Sequence, residues 1–196
     1  MPNLPTGVWA IASGLKSYAE VVEFSRSSQA AACWCWRRPQ MNGSDQLRAL
    51  QLLNQSKKVL THGMADWAQA SAAAGVICGA NSLDPVRAKQ LYPRLLIGAS
   101  VHNSAEVSQA ISEQVDFLVY GPVYDTPSKQ SYLSARGLDK LAEVVATKTK
   151  VIAIGGVQTT DQVRQLKEVG VHAVAVLRAA HDFELMSELS AAFATG

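Results

Sequence analysis

Apolar residues gather into eight short runs along the chain: Val8–Ala12, Ala31–Trp36, Lys57–Thr61, Gly75–Cys78, Leu95–Ala99, Asp116–Tyr120, Val151–Ile154 and Ala173–Leu177. Each has strand length. The segments between them carry helical patterns. Tyr18-Ala-Glu-Val-Val-Glu-Phe24 and Asp45-Gln-Leu-Arg-Ala-Leu-Gln-Leu-Leu53 space their apolar residues along one helical face. Ser104 and Thr160 stand as N-caps before amphipathic runs, and Ser44-Asp45 and Asp84-Pro85 read as helix starts. Gly170 ends a helix, and Leu138–Ala146 and Phe183–Phe193 supply two more. Regular strand–helix alternation predicts a parallel sheet with crossover helices. Eight repeats predict closure into a (β/α)₈ TIM barrel. With no linker or low-complexity tract, the prediction is one domain over residues 1–196.

A barrel of this kind places its chemistry where strands end. Arg37, His62, Ser100, His102, the 122–129 segment, Gly155, Gly156, Arg178 and His181 fall at or beyond strand C-termini, hence at the mouth. His172 precedes a strand and is expected on the opposite face in a structural role. The last two runs are the most informative. Val151-Ile-Ala-Ile-Gly-Gly-Val157 ends in paired glycines, and Ala173-Val-Ala-Val-Leu-Arg-Ala179 ends in Leu177, Arg178 and small residues. Paired glycines let backbone N–H groups approach an anion, and a short turn can aim further donors at it. The loops after strands seven and eight commonly bind phosphate in this architecture. The expected ligand is a small molecule carrying a phosphate.

Composition narrows the partners. The 196 residues are 48% hydrophobic and 17% charged, an ordinary globular balance. A net charge of +2 is too small and dispersed to suggest nucleic acid, and no apolar run suggests a membrane partner. Three cysteines, two in Cys33-Trp-Cys35, make neither a disulfide framework nor a zinc set. The expectation is a reduced, cytoplasmic protein, with a homo-oligomer left open.

Several segments share one likeness. Trp36-Arg37, Gly98-Ala-Ser-Val-His102, Asp116-Phe-Leu-Val-Tyr-Gly-Pro-Val-Tyr-Asp-Thr-Pro-Ser-Lys129, Arg136-Gly-Leu138 and Ala153-Ile-Gly-Gly-Val157 closely resemble the thiamine-phosphate synthase and TenI-like superfamily, in the same order. The resemblance implies a phosphorylated thiazole as ligand. It also implies one of two reactions. The synthase joins that thiazole to an aminopyrimidine diphosphate with loss of pyrophosphate, and Mg²⁺ held by two aspartates neutralises the leaving group. TenI-like relatives isomerise the ring by proton transfer. By the resemblance, Ser100 contacts the ligands and Gly137 joins the substrate-binding set.

The chain departs from both patterns. The superfamily's Asn-Asp after strand three falls on His62-Gly63, and its second aspartate falls on Ser82. Cys35, Pro39 and Ile77 replace a glutamine, a lysine and a histidine. Asp66 and Asp84 sit off the aligned positions. The expected reading is therefore the TenI-like branch, with no metal cofactor and Mg²⁺ implied only if the synthase alternative holds. The TenI-like tautomerases carry a histidine just after strand six, where this chain has Pro122.

That leaves the base to other mouth residues. His62 is the first candidate and His102 the second, since imidazole titrates near neutrality. His102 also reads as a loop support. Lys129 offers an ammonium to a phosphate or carboxylate, or a catalytic amine, against the alternative of a solvated loop lysine. Thr126 and Ser128 offer hydroxyls, or cap the turn. Arg178 contacts the phosphate or projects into water. If Cys33, Cys35 and Arg37 point inward, Trp34 and Trp36 pack outward against helices. A non-catalytic, phosphate-binding barrel is the reading from a different class.

Overall fold

The computed structural model describes residues 3–126 and 134–195. Strand and helix alternate throughout: β1 (Gly7–Ser13), α1 (Tyr18–Ser27), β2 (Cys33–Arg37), α2 (Gly43–Ser56), β3 (Val59–His62), α3 (Ala65–Ala70), β4 (Gly75–Cys78), α4 (Pro85–Leu91), β5 (Leu96–Val101) and α5 (Ser104–Ser112). They continue as β6 (Phe117–Tyr120), α6 (Gly137–Val145), β7 (Val151–Ile154), α7 (Thr160–Val169), β8 (Ala173–Val176), a 3₁₀ turn (Ala179–His181) and α8 (Phe183–Thr195). Every strand pairs in parallel with its sequence neighbours, and β8 returns to β1, so the sheet closes as a TIM barrel.

Side-chain alternation divides the core in two. Trp9, Ile11, Cys33, Cys35, Leu60, Ile77, Leu96, Phe117, Val119 and Ile152 fill the barrel. Trp34 and Trp36 lie in the larger outer layer with the helices. The inward parity of Cys33 and Cys35 thus sends both tryptophans outward. Phe24 packs against the Trp34 ring, and the Trp34 Nε1 donates to Ser28 Oγ at 2.9 Å. Inside, Trp9 meets Phe117 edge-on, with ring centroids 5.9 Å apart. Gly98 makes room for that ring, because a Cβ there would stand 2.3 Å from it.

Several helix caps fall one or two residues earlier than the sequence suggests. Asn103, not Ser104, caps α5; Thr159, not Thr160, caps α7; and Asn42, not Ser44, caps α2. In each pair both residues are polar and cap-competent, so composition alone does not choose. Geometry does: Thr159 takes the Gln162 N–H while the Gln162 side chain returns to the Thr159 N–H. Asp84 caps α4, and Gly170 ends α7 at φ +95°. At the barrel's N-terminal end His172 is half-buried, its Nε2 3.1 Å from the Leu4 carbonyl oxygen, which is a structural setting.

Candidate functional site

A cavity of about 700 Å³ opens at the C-terminal ends of the strands. Its floor is apolar, with Trp9, Ile11, Cys35, Ile77, Val119 and Ile152, and its rim is polar. Arg37, His62, Ser100, His102, Thr126, Gly155, Gly156, Leu177 and Arg178 all line it. Gly137 does not appear in the lining. It starts α6 at φ +76° and donates its N–H to the Val123 carbonyl, so its role here is in the turn. Ser128 and Lys129 lie outside the described residues. His181 is exposed, its ring edge-on to Phe24.

The cup between β7 and β8 is built by the chain's tight packing. Gly155 and Gly156 have φ of +105° and +73°. A Cβ on Gly155 would meet Pro122 at 2.6 Å, and one on Gly156 would meet the Asp125 carbonyl at 2.6 Å. The glycines are therefore required first by the loop after β6, which lies on them. Val123 N–H bonds to the Ile154 carbonyl, and Tyr124 N–H to that of Gly155. Besides opening space for an anion, the glycines are needed because no side chain fits beneath the loop. The N–H groups of Gly156, Val157 and Arg178 meet no protein acceptor among the described residues, and all three residues line the cavity. Unpaired backbone donors at a cavity wall suit an anion.

The opposite rim comes from β3, β4 and β5. His62 ends β3, and its ring lies against Gly79, where a Cβ would stand 3.3 Å from Cε1. Ser82 closes the loop after β4: its Oγ accepts from Gly79 N–H at 2.7 Å and donates to the Gly79 carbonyl at 2.8 Å. Gly63, at φ +78°, has its Cβ position 3.6 Å from Ser82 Cβ. The two expected carboxylate positions are thus a bare backbone and a hydroxyl spent on its own turn. Asp84 is committed to the α4 cap, and Asp66 is exposed on α3.

His102 has a carboxylate partner that sequence reasoning missed. Its Nδ1 lies 3.0 Å from Glu106 Oε2, which also accepts the His102 backbone N–H at 2.7 Å. The i,i+4 spacing was the available signal. Arg38 was missed as well. It lines the cavity in the left-handed region at φ +45°. No local pattern announces it: a residue before proline favours extended backbone, and Arg38 takes the left-handed region instead. Gly14 N–H bonds to the carbonyls of both Arg37 and Arg38, at 3.3 and 3.2 Å, which fixes this corner to the end of β1.

Cys35 is buried at the floor, and burial pushes its thiol up to about 12. Burial raises Cys33 and Cys78 too, the latter to about 11. Low-pKa nucleophilic chemistry is not the work of these thiols.

Residues 44–180 match the family model described as thiamine monophosphate synthase. A thiamine-phosphate synthase of Salinibacter ruber is 40% identical over 117 residues, 58% of this chain and 51% of that protein. One from Mycobacterium sp. (strain JLS) is 33% identical over 147 residues, 71% of this chain and 64% of that protein. The matched stretch thus spans about half to two thirds of these relatives' own length. Among solved structures, a thiamine phosphate pyrophosphorylase from Pyrococcus furiosus superposes with a TM-score of 0.81 at 25% identity, covering 96% of each chain.

Proposed function

Because the chain belongs to the thiamine monophosphate synthase family, we propose that its cavity holds a phosphorylated thiazole carboxylate by the phosphate and moves a proton at the ring. The observation that carries this reading is the pairing of an intact anion cup with an empty carboxylate set. The backbone donors of Gly156, Val157 and Arg178 suit the phosphate. Anchoring a remote group positions the reacting carbon without itself taking part in the chemistry.

Proton transfer then needs one base within reach of the ring. His62 and His102 both line the cavity across from the cup. The sequence puts His62 first; the Glu106 contact moves His102 ahead. A carboxylate on Nδ1 holds the proton there and leaves Nε2 as the basic nitrogen. The base takes a proton from one ring position and the same proton, or one from water, returns at another, so the isomer has the same atoms. Ser100 and Thr126 add hydroxyls to the cavity lining. Lys129 stays a candidate for the phosphate or the proton on its sequence motif alone.

Mg²⁺ chemistry does not fit these residues. A hard cation is held by carboxylate and water oxygens, and Gly63 and Ser82 offer no carboxylate. Among the described residues no group of three or more His, Cys, Asp or Glu is arranged to hold a metal. The second reading, synthase activity, is favoured by the names of the relatives. Its arm of the test is pyrophosphate release from thiazole phosphate and aminopyrimidine diphosphate with Mg²⁺, where little turnover is expected.

The direct test is hydrogen–deuterium exchange at the ring, followed by NMR in heavy water. Wild-type protein should exchange the ring proton faster than buffer. His102→Gln should slow this by roughly a hundredfold, the scale of losing a general base. Glu106→Gln should keep the α5 cap, which Asn103 makes to the backbone, yet slow exchange by loosening the hold on the His102 ring. If exchange equals that in buffer, the barrel binds its ligand without this chemistry. If it survives both His62→Gln and His102→Gln, the base lies elsewhere.

A further inference from the structure

We infer that this cavity compensates the charge of a polyanionic small molecule with its arginine side chains rather than with a divalent cation. Three arginines line it: Arg37, Arg38 and Arg178. Among the described residues no Asp or Glu does, although the chain carries 16 of them. The segment 127–133, Pro-Ser-Lys-Gln-Ser-Tyr-Leu, contains none by sequence. The nearby acids face other tasks: Asp84 caps α4, Glu106 holds His102, and Asp66 and Asp125 are exposed outside the lining.

The arginines sit close together in the topology. Arg37 ends β2 and Arg38 follows it, Arg178 lies just beyond β8, and both strands pair with β1. Two strand spacings of about 4.8 Å separate the two rims, within reach of extended guanidinium groups converging on one ligand. The backbone aims them. Arg38 is held left-handed at φ +45°, and Gly14 N–H ties its carbonyl to the β1 end. Arg37 Nη1 lies 3.5 Å from Ser13 Oγ. A non-glycine residue held at such a φ is a cost that a surrounding structure has to impose. Guanidinium forks match phosphate and carboxylate oxygens in pairs. A metal would have to share the cavity with these cations and without any carboxylate, which Coulomb repulsion opposes. The ligand chemistry is therefore a phosphate with a second anionic group, either a carboxylate or a second phosphate.

The inference shares its cavity with the reading above but not its ring chemistry, so the probe is inorganic pyrophosphate. Binding is measured calorimetrically in excess EDTA and again with millimolar Mg²⁺. Pyrophosphate should bind in EDTA, and Mg²⁺ should leave the affinity unchanged or weaken it. Arg38→Asn removes the charge while keeping a residue that accepts the left-handed region. Arg178→Ser removes the other. Both positions are exposed, so the fold should stand, and thermal melting checks it. Each variant should weaken binding about tenfold, the scale of one lost charge-assisted contact. Binding that requires Mg²⁺, or that is untouched by both substitutions in folded protein, overturns the inference. Thiazole phosphate with and without its ring carboxylate then distinguishes the two sources of the second anion: a preference for the carboxylate form that Arg38→Asn abolishes assigns it to the carboxylate. Pyrophosphate binding in EDTA without ring exchange keeps this inference and removes the tautomerase reading.

Discussion

Cys35 illustrates how far single residues could be read from the chain. Its parity with Cys33 and Arg37 predicts an inward side chain, and it does line the cavity floor. What parity cannot give is the thiol's state, which burial sets. Raised to about 12, it stays protonated where an unfolded thiol would ionise. The sign follows directly: the folded protein holds the proton more tightly, so stability from this group is complete below the ordinary thiol value of 9.0 and falls between there and about 12. Urea midpoints should drop from pH 8 to pH 10.5, at up to about 1.4 kcal/mol per pH unit for a thiol of this kind. An aromatic disulfide reagent at pH 8 should leave Cys33 and Cys35 unmodified until the chain is unfolded. Rapid labelling of the native protein would show the floor to be open. Arg38 marks the limit of sequence reading at this scale, because parity ends with the strand and its direction is fixed by a left-handed turn held by Gly14.

At the scale of elements, apolar runs locate strands well because each run is bounded by polar or small residues. β4 and β7 coincide with their predicted limits, Gly75–Cys78 and Val151–Ile154. The caps shift because neighbouring polar residues compete for one position, as Asn103 and Ser104 do. The cup was legible as a location but not as a mechanism. Its glycines respond to a loop far away in sequence, and no local pattern announces that Asp125 O sits where a Gly156 Cβ would go. Gly156→Ala therefore carries two penalties, the positive φ and the backbone clash. It should lower stability by about 1–3 kcal/mol, as overpacking does, and weaken thiazole phosphate binding about tenfold or more. Gly98→Ala is the matched control. Its Cβ would strike the Phe117 ring in the barrel interior, away from the cavity lining, so it should cost stability while the remaining folded fraction binds normally. Calorimetry at a temperature below both melting points separates the two effects.

The whole molecule is a closed barrel whose two faces differ in purpose. His172 and the Lys89–Asp116 pair occupy the N-terminal face in structural contacts, whereas the arginines and both cavity histidines gather at the other. That division follows from topology alone and was visible in the order of strands and polar residues. Which reaction the mouth performs was not, because it depends on contacts such as Glu106 with His102 and Ser82 with its own turn. Among the described residues no helix is long and apolar enough to cross a membrane. The central claim is that the loops after β7 and β8 hold a ligand phosphate. It is tested most directly by a crystal structure with thiazole phosphate carboxylate, grown without divalent cations. The account predicts phosphate oxygens within hydrogen-bond distance of the Gly156, Val157 and Arg178 N–H groups, with the ring pointing across the cavity toward His62 and His102. A phosphate seated instead among Gly63, Ser82 and Gly79, or an unliganded cup at saturating ligand, would contradict it.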